Sequence, residues 1–277
     1  HGAGMDFDAD PEFQRELDWI DEFVRTEIEP LDFVIRSPYD LKDPIRAELI
    51  PPLQRIVQEC QLWACHLGPD LGGPGYGQVK LALMNEILGR ARCASTVFGT
   101  QAPDTGNSEI LAHFGTPEQK ARFLEPLLRN EILSCYSITE PQGGADPAVF
   151  TTTAIPDGDE WVINGEKWFS TGAQNASVLI VYAITDPDEK DPYKRASMLL
   201  VPKPRGTGLD AFPADGMAGS EIEVLGYRGM REYALSFDGM RAPADLIGEA
   251  PVCPSDDEST GTRALTTDEV EQAARRR

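Results

Sequence analysis

With 277 residues, 41% of them hydrophobic, the chain can bury one large core or two smaller ones, and two domains are expected. A formal net charge of −21 argues against nucleic acid or an anionic membrane as a partner, since both reward clustered Lys and Arg. Five scattered cysteines without a C-x-x-C pair, and histidines only at positions 1, 66 and 113, argue against a disulfide framework and a zinc site.

His1-Gly2-Ala3-Gly4 ahead of Met5 reads as a tag or fragment boundary, so residues 1–10 are set apart from the fold. No basic-then-apolar leader opens the chain, and no apolar run approaches the ~20 residues of a membrane span. Residues 11–130 read as a helical domain. Phe13, Leu17, Ile20, Val24 and Ile28 recur at three- and four-residue steps, with Asp10-Pro11 as start and Pro30 as stop. A second stripe is Leu53, Ile56, Val57 and Cys60. Cys65-His66 resembles a ligand fragment, but with no second pair it reads as a helix end. A glycine-rich loop spans 67–77, and Leu81, Met84, Ile87 and Leu88 resume the helical period. Thr116-Pro117-Glu118-Gln119 opens a further helix whose buried face is Phe123, Leu124, Leu127 and Leu128.

Near residue 131 the period changes to that of strands. Residues 132–138, 178–184, 196–201 and 233–237 are short apolar or alternating runs. Asn164-Gly165 stands between two alternating runs, 161–163 and 166–168, and predicts a hairpin turn there. The plan is α+β: an all-helical N-terminal domain, then an antiparallel β-barrel or sandwich over 131–248. Residues 249–277 lack apolar period and read as a disordered tail, with Thr266-Thr267-Asp268-Glu269 as the capping box of a short helix.

Cys135-Tyr136-Ser137-Ile138-Thr139-Glu140-Pro141 runs into the Gly143-Gly144 turn, and Lys167-Trp168-Phe169-Ser170-Thr171 follows. With Gly106-Asn107-Ser108-Glu109, 115–120, 124–128, Leu225-Gly226-Tyr227-Arg228-Gly229 and Arg241-x-Pro243-x-x-Leu246-Ile247-Gly248, these segments resemble the acyl-CoA dehydrogenases over roughly residues 11–248. The resemblance implies FAD as cofactor, an acyl-CoA thioester as substrate and an electron-transfer flavoprotein as electron acceptor. It implies backbone contacts to the flavin from Tyr136 and Ile138 and a hydroxyl contact from Thr139. Trp168 would pack on the ring, and Ser170 would donate near N5. The Gly143-Gly144 turn would serve as an anion-binding nest beside the pyrophosphate. Ala145 stands where the family usually has Ser, so one polar contact is lost. Arg228 or Arg231 would face a phosphate, against the plainer reading of solvated surface arginines.

In the family, a glutamate in a C-terminal helical bundle removes the α-proton, and this chain is expected to stop before that domain. Flavin affinity is therefore expected to be weak, turnover near background, and the family's homo-oligomer not formed. Three readings stay open: an acyl-CoA dehydrogenase performing α,β-dehydrogenation, a non-catalytic flavin- or acyl-CoA-binding protein, and an acyl-CoA oxidase or related flavin monooxygenase. Reduced thiols imply an intracellular compartment. Few lysines against many arginines suggest a GC-rich bacterial source and hence the cytoplasm, with mitochondrion or peroxisome expected in a eukaryote.

Overall fold

The computed structural model describes residues 9–71, 73–227, 229–244 and 247. The expected tail helix, Arg228, Leu246 and Gly248 lie outside them. Helix α1 (Pro11–Phe23) begins at Asp10, whose carboxylate accepts from the N–H groups of Glu12 and Phe13. It buries Phe13, Leu17 and Ile20 and continues as a π-turn over Val24–Ile28, so all five residues of the expected stripe face the core. The helical run of α1 and its π-turn ends at Ile28, two residues before Pro30. A 3₁₀ turn over Glu29–Phe33 accommodates it in the first turn, where its missing N–H is not needed.

Helix α2 (Pro44–Glu59) departs from the expected stripe. Arg46, Ile50, Gln54 and Val57 face inward, while Ile56 and Cys60 are exposed. Polar residues hold that inner face because each finds a carbonyl: Arg46 Nε donates to Pro38 O and Gln54 Nε2 to Thr96 O. A search for apolar spacing alone passes over such positions. Helix α3 (Gly77–Leu88) buries Leu81, Met84 and Leu88, and α4 (Ala94–Val97) and α5 (Asp104–Phe114) follow. Thr116 caps α6 (Pro117–Gln119) as expected and forms a reciprocal capping box with Gln119, which was not anticipated; α6 passes through a π-turn into α7 (Glu125–Leu128).

The second half is one curled seven-stranded sheet: β1 (Ser134–Ser137), β2 (Thr153–Asp157), β3 (Glu160–Lys167), β4 (Val178–Ile184), β5 (Ala196–Pro202), β6 (Met217–Ile222) and β7 (Glu232–Pro243). The path runs β1-β4-β2-β3-β7-β6, with β5 on the other edge of β4. The helix-then-sheet plan holds, but the sheet is mixed, because β1 and β2 both pair with β4 in parallel. β4 reads as an unbroken apolar run because it is covered on both faces. Leu179, Val181 and Ala183 point into the curl, while Val178 and Ile180 pack against Leu111, Phe123 and Leu127 of the helical half.

The Asn164-Gly165 expectation is corrected. β3 runs straight through this pair, with the register shifting between Ile163 and Gly165. The hairpin turn lies earlier, joining β2 to β3 at Gly158, whose φ is +66°. Gly165 sits at φ +142°, where an added Cβ would lie 2.5 Å from Thr152 Oγ1, and Asn164 Oδ1 accepts from Gly239 N. Conformational freedom is used here for a bulge and a close backbone approach instead of a turn.

One ion pair lies at the centre of the sheet's site-bearing end. The side chains of Lys167 and Glu140 are 0% and 1% exposed, with Nζ 2.8 Å from Oε1. Lys167→Met should cost about 3–5 kcal/mol in urea unfolding, because it strands a buried carboxylate. Arg241→Ala, which removes only exposed pairs to Asp157 and Glu160, should cost less than about 1 kcal/mol.

Candidate functional site

The Thr-Glu-Pro turn after β1 and the segment after β3 meet through one backbone bond, Trp168 N to Thr139 O at 2.8 Å. Lys167 ties the same two segments, donating to Ile138 O at 3.0 Å as well as to Glu140. Glu140 also accepts from the N–H groups of Thr151 and Thr152. Burial would raise the Glu140 pKa, but the Lys167 ammonium and the Thr152 and Thr151 donors outweigh it and hold the carboxyl well below the usual range.

On this base Trp168 and Phe169 stand 37% and 44% exposed, their ring centroids 4.6 Å apart. Phe169 adopts φ +54°, a conformation uncommon for a bulky residue, and is fixed by Trp168 N on one side and Ser170 N to Tyr233 O on the other. The result is an aromatic surface left open to solvent beside the Thr139 turn. Tyr136 and Ile138, two apart, direct their backbone polar groups to one side of the strand. Among the described residues β1 has a strand neighbour only in β4, so its other edge has no strand partner. The Ile138 carbonyl is taken by Lys167, which leaves its N–H as the group it can offer. Gly144 packs against Thr139, where an added Cβ would lie 3.2 Å from Thr139 Cγ2, and Ala145 is exposed.

Ser170 is the residue expected to donate near N5. Its side chain is fully buried, with Oγ 2.9 Å from Ser137 Oγ, so the hydroxyl faces the sheet interior. Its neighbour Thr171 lines a cavity and donates Oγ1 to Glu232 at 2.8 Å. Phe169 and Thr171 are the residues that sequence reasoning missed. The available signal was the adjacent pairs Trp168-Phe169 and Ser170-Thr171, which offer a one-residue choice of face that strand alternation alone does not settle.

That cavity, about 410 Å³, lies between the helical half and the sheet. Asp104, the first residue of α5, lies in its wall and was not anticipated. Its Oδ1 accepts from Ser134 N at 2.8 Å and Ser134 Oγ at 2.6 Å, and its Oδ2 accepts from Gln101 Nε2 at 3.0 Å. Asn107 Nδ2 completes the seam on Ser134 Oγ. Burial lifts the Asp104 carboxyl to about 6, with the Ser134 and Gln101 donors pulling the other way. Arg231 lines the cavity too, and its guanidinium is paired with Glu221.

Comparison with known proteins follows this geometry. The sequence models for the acyl-CoA dehydrogenase N-terminal and middle domains match residues 11–131 and 135–240. The chain belongs to the acyl-CoA dehydrogenase family. It is 38% identical over 206 residues to (2S)-methylsuccinyl-CoA dehydrogenase of Cereibacter sphaeroides, across 74% of this chain and 37% of that protein. It is 40% identical to acyl-CoA dehydrogenase family member 11 of Mus musculus, across 73% of this chain and 25% of that one. The chain thus spans well under half the length of these two family members. An acyl-CoA dehydrogenase structure from Mycobacterium abscessus superposes with a TM-score of 0.70 at 32% identity, covering 87% of this chain and 61% of the other. Within the family fold, the aromatic platform and the Asp104 cavity are adjacent through Thr171 and Ser134.

The Asp104 titration gives a stability test. Its folded-state pKa lies above the ordinary 3.8, so the unfolded chain releases this proton first as pH rises. Wild type should lose roughly 2–3 kcal/mol relative to Asp104→Asn between pH about 3.8 and about 6, with no further change above. Denaturant unfolding of both proteins across that window reads the difference, and a pH-independent gap would contradict the assignment.

Proposed function

We propose that this chain is the flavin-cradling part of an acyl-CoA dehydrogenase-type oxidoreductase, with residues 11–130 and 131–248 as its two domains. The observation that carries the reading is the open Trp168–Phe169 platform, fixed to the Thr139 turn and flanked by the outer edge of β1. A flat ring covering it would gain roughly 2.5 kcal/mol for each 100 Å² of apolar surface removed from water. The residues present fit FAD. The Thr139 hydroxyl, the Tyr136 backbone and the Ile138 N–H would meet the polar edge of the ring, and Trp168 with Phe169 its face. The Ser170 hydroxyl, expected to donate near N5, lies 2.9 Å from Ser137 Oγ, and the single hydroxyl proton of Thr171 is given to Glu232. The Gly143-Gly144 turn, with Ala145 next to it, would sit near the pyrophosphate.

Bound FAD would accept the β-hydride of an acyl-CoA thioester and pass electrons on to an electron-transfer flavoprotein. The chain's own contribution is position and donors. The buried Lys167–Glu140 pair holds Thr139 and Trp168 in register, and Thr171 and Gly172 border the cavity where an acyl group would lie beside the platform. No described residue is assigned the α-proton. No helix among the described residues is long and apolar enough to cross a membrane.

Titrating the protein with FAD should quench tryptophan fluorescence and induce visible flavin dichroism. Trp168→Ala or Thr139→Val should weaken binding by about 10-fold or more, from lost ring contact or a lost hydrogen bond. Anaerobic addition of an acyl-CoA then separates the reactions: bleaching of the flavin band supports the dehydrogenase, a spectral shift alone a binding protein, and peroxide in air an oxidase. Flavin binding unaffected by both substitutions would overturn the cradle.

A further inference from the structure

We propose that the cavity beside the platform selects an acyl group bearing a hydroxyl, with the Asp104 carboxylate as the acceptor. The inference rests on the acyl-CoA reading above and names the substrate class that this wall fits. A pocket for a plain alkyl chain should be lined mainly by aliphatic side chains. Here only Ala102, Pro103, Leu133 and Met230 are apolar side chains in the wall. The polar side chains opposite them are largely committed to each other. Ser134 Oγ donates to Asp104, Thr171 Oγ1 to Glu232, and Tyr233 OH to Gln174 Oε1 at 2.7 Å.

Asp104, the one buried carboxylate among the described residues of this wall, keeps accepting capacity. A carboxylate can accept about four hydrogen bonds. Asp104 receives three, two on Oδ1 and one on Oδ2, so one accepting position on Oδ2 remains. The residue is 7% exposed, and among the described residues no Lys or Arg forms an ion pair with it. A buried, uncompensated acceptor is costly to cover with hydrocarbon.

Four chemical classes of acyl group can be weighed against that position. An alkyl group desolvates the carboxylate and returns nothing. A second carboxylate, as the name methylsuccinyl-CoA implies for one relative, sets like charges together at Asp104 and is drawn instead to Lys42 and Arg231 elsewhere in the lining. An ammonium meets Lys42 and Arg231, which line the same cavity. A hydroxyl donates into the vacant lone pair and brings no charge. Sites built to bond a substrate hydroxyl discriminate strongly against the analogue without it, since the protein's own polar group is then left unpaired.

The test uses the full 277-residue protein with FAD added, well above the titration range of Asp104. Dissociation constants are measured by calorimetry for the positional isomers of hydroxybutanoyl- and hydroxypentanoyl-CoA, their unsubstituted parents, and succinyl-CoA. At least one hydroxy isomer should bind about 10-fold or more tighter than its parent, and Asp104→Leu should leave the affinity for succinyl-CoA level or raised. Asp104→Leu should erase the hydroxyl preference and bring the parent's affinity level with or above that in wild type. Asp104→Asn, which keeps an acceptor for Ser134, should reduce the preference and tests the idea if the Leu variant does not fold. Parents that bind as tightly as every hydroxy isomer, or a preference that survives both substitutions, would overturn this inference alone. Absence of binding by every acyl-CoA would overturn the acyl-CoA reading itself.

Discussion

The buried pair of Lys167 and Glu140 is the constraint from which the site follows. Neither charge reaches water, so each must be satisfied within the protein. Glu140 does this by gathering Thr151, Thr152 and Lys167, and Lys167 by reaching both Glu140 and the Ile138 carbonyl. These bonds join the end of β1, the segment entering β2 and the end of β3. Three pieces of chain distant in sequence can therefore take only one relative position. The ring of Phe150, with its centroid 5.2 Å from Lys167 Nζ, closes the remaining side. Such a pair adds little net stability compared with an apolar replacement, but it is intolerant of losing one partner. Its use here is geometric: it sets Thr139 beside Trp168.

The second constraint joins the two halves of the molecule. Asp104 at the start of α5 grips the first residue of β1 through both the N–H and the hydroxyl of Ser134. The helix N-terminus favours a negative charge at that position and offsets part of the burial cost. Around it, Leu111, Phe123 and Leu127 pack on Val178 and Ile180, so the seam is apolar on one side and polar at the cavity. β1 is thus held at its beginning by the helical half and at its end by the ion pair. An aromatic platform and a polar cavity share that strand and the Thr171 turn.

Much of the fold could be read directly. The stripe of α1, the helix start at Thr116 and the apolar runs of β4 and β5 are local patterns with one good interpretation each, and they came out at the expected places. The inner face of α2 was hidden because Arg46 and Gln54 occupy it, and their fitness depends on carbonyls from Pro38 and Thr96. β2 and β6 were not anticipated, since their outward residues are mostly polar or small. Asn164-Gly165 misled because turn chemistry and bulge chemistry require the same residues.

The sequence by itself determined the helix-then-sheet order, the family, and the two segments that build the platform, because each rests on residue identity and short spacing. Only the tertiary structure decided which hydroxyl of Ser170 and Thr171 reaches the cavity, since β3 has ended at Lys167 and the backbone bonds of Ser170 N to Tyr233 O and Gly172 N to Arg231 O set the path of the turn. It also decided that Asp104 is a wall of that cavity. A carboxylate at a helix start reads as an ordinary first-turn acid. Burial and a long-range partner, Ser134, turn it into an acceptor, and neither is written in the residues beside it.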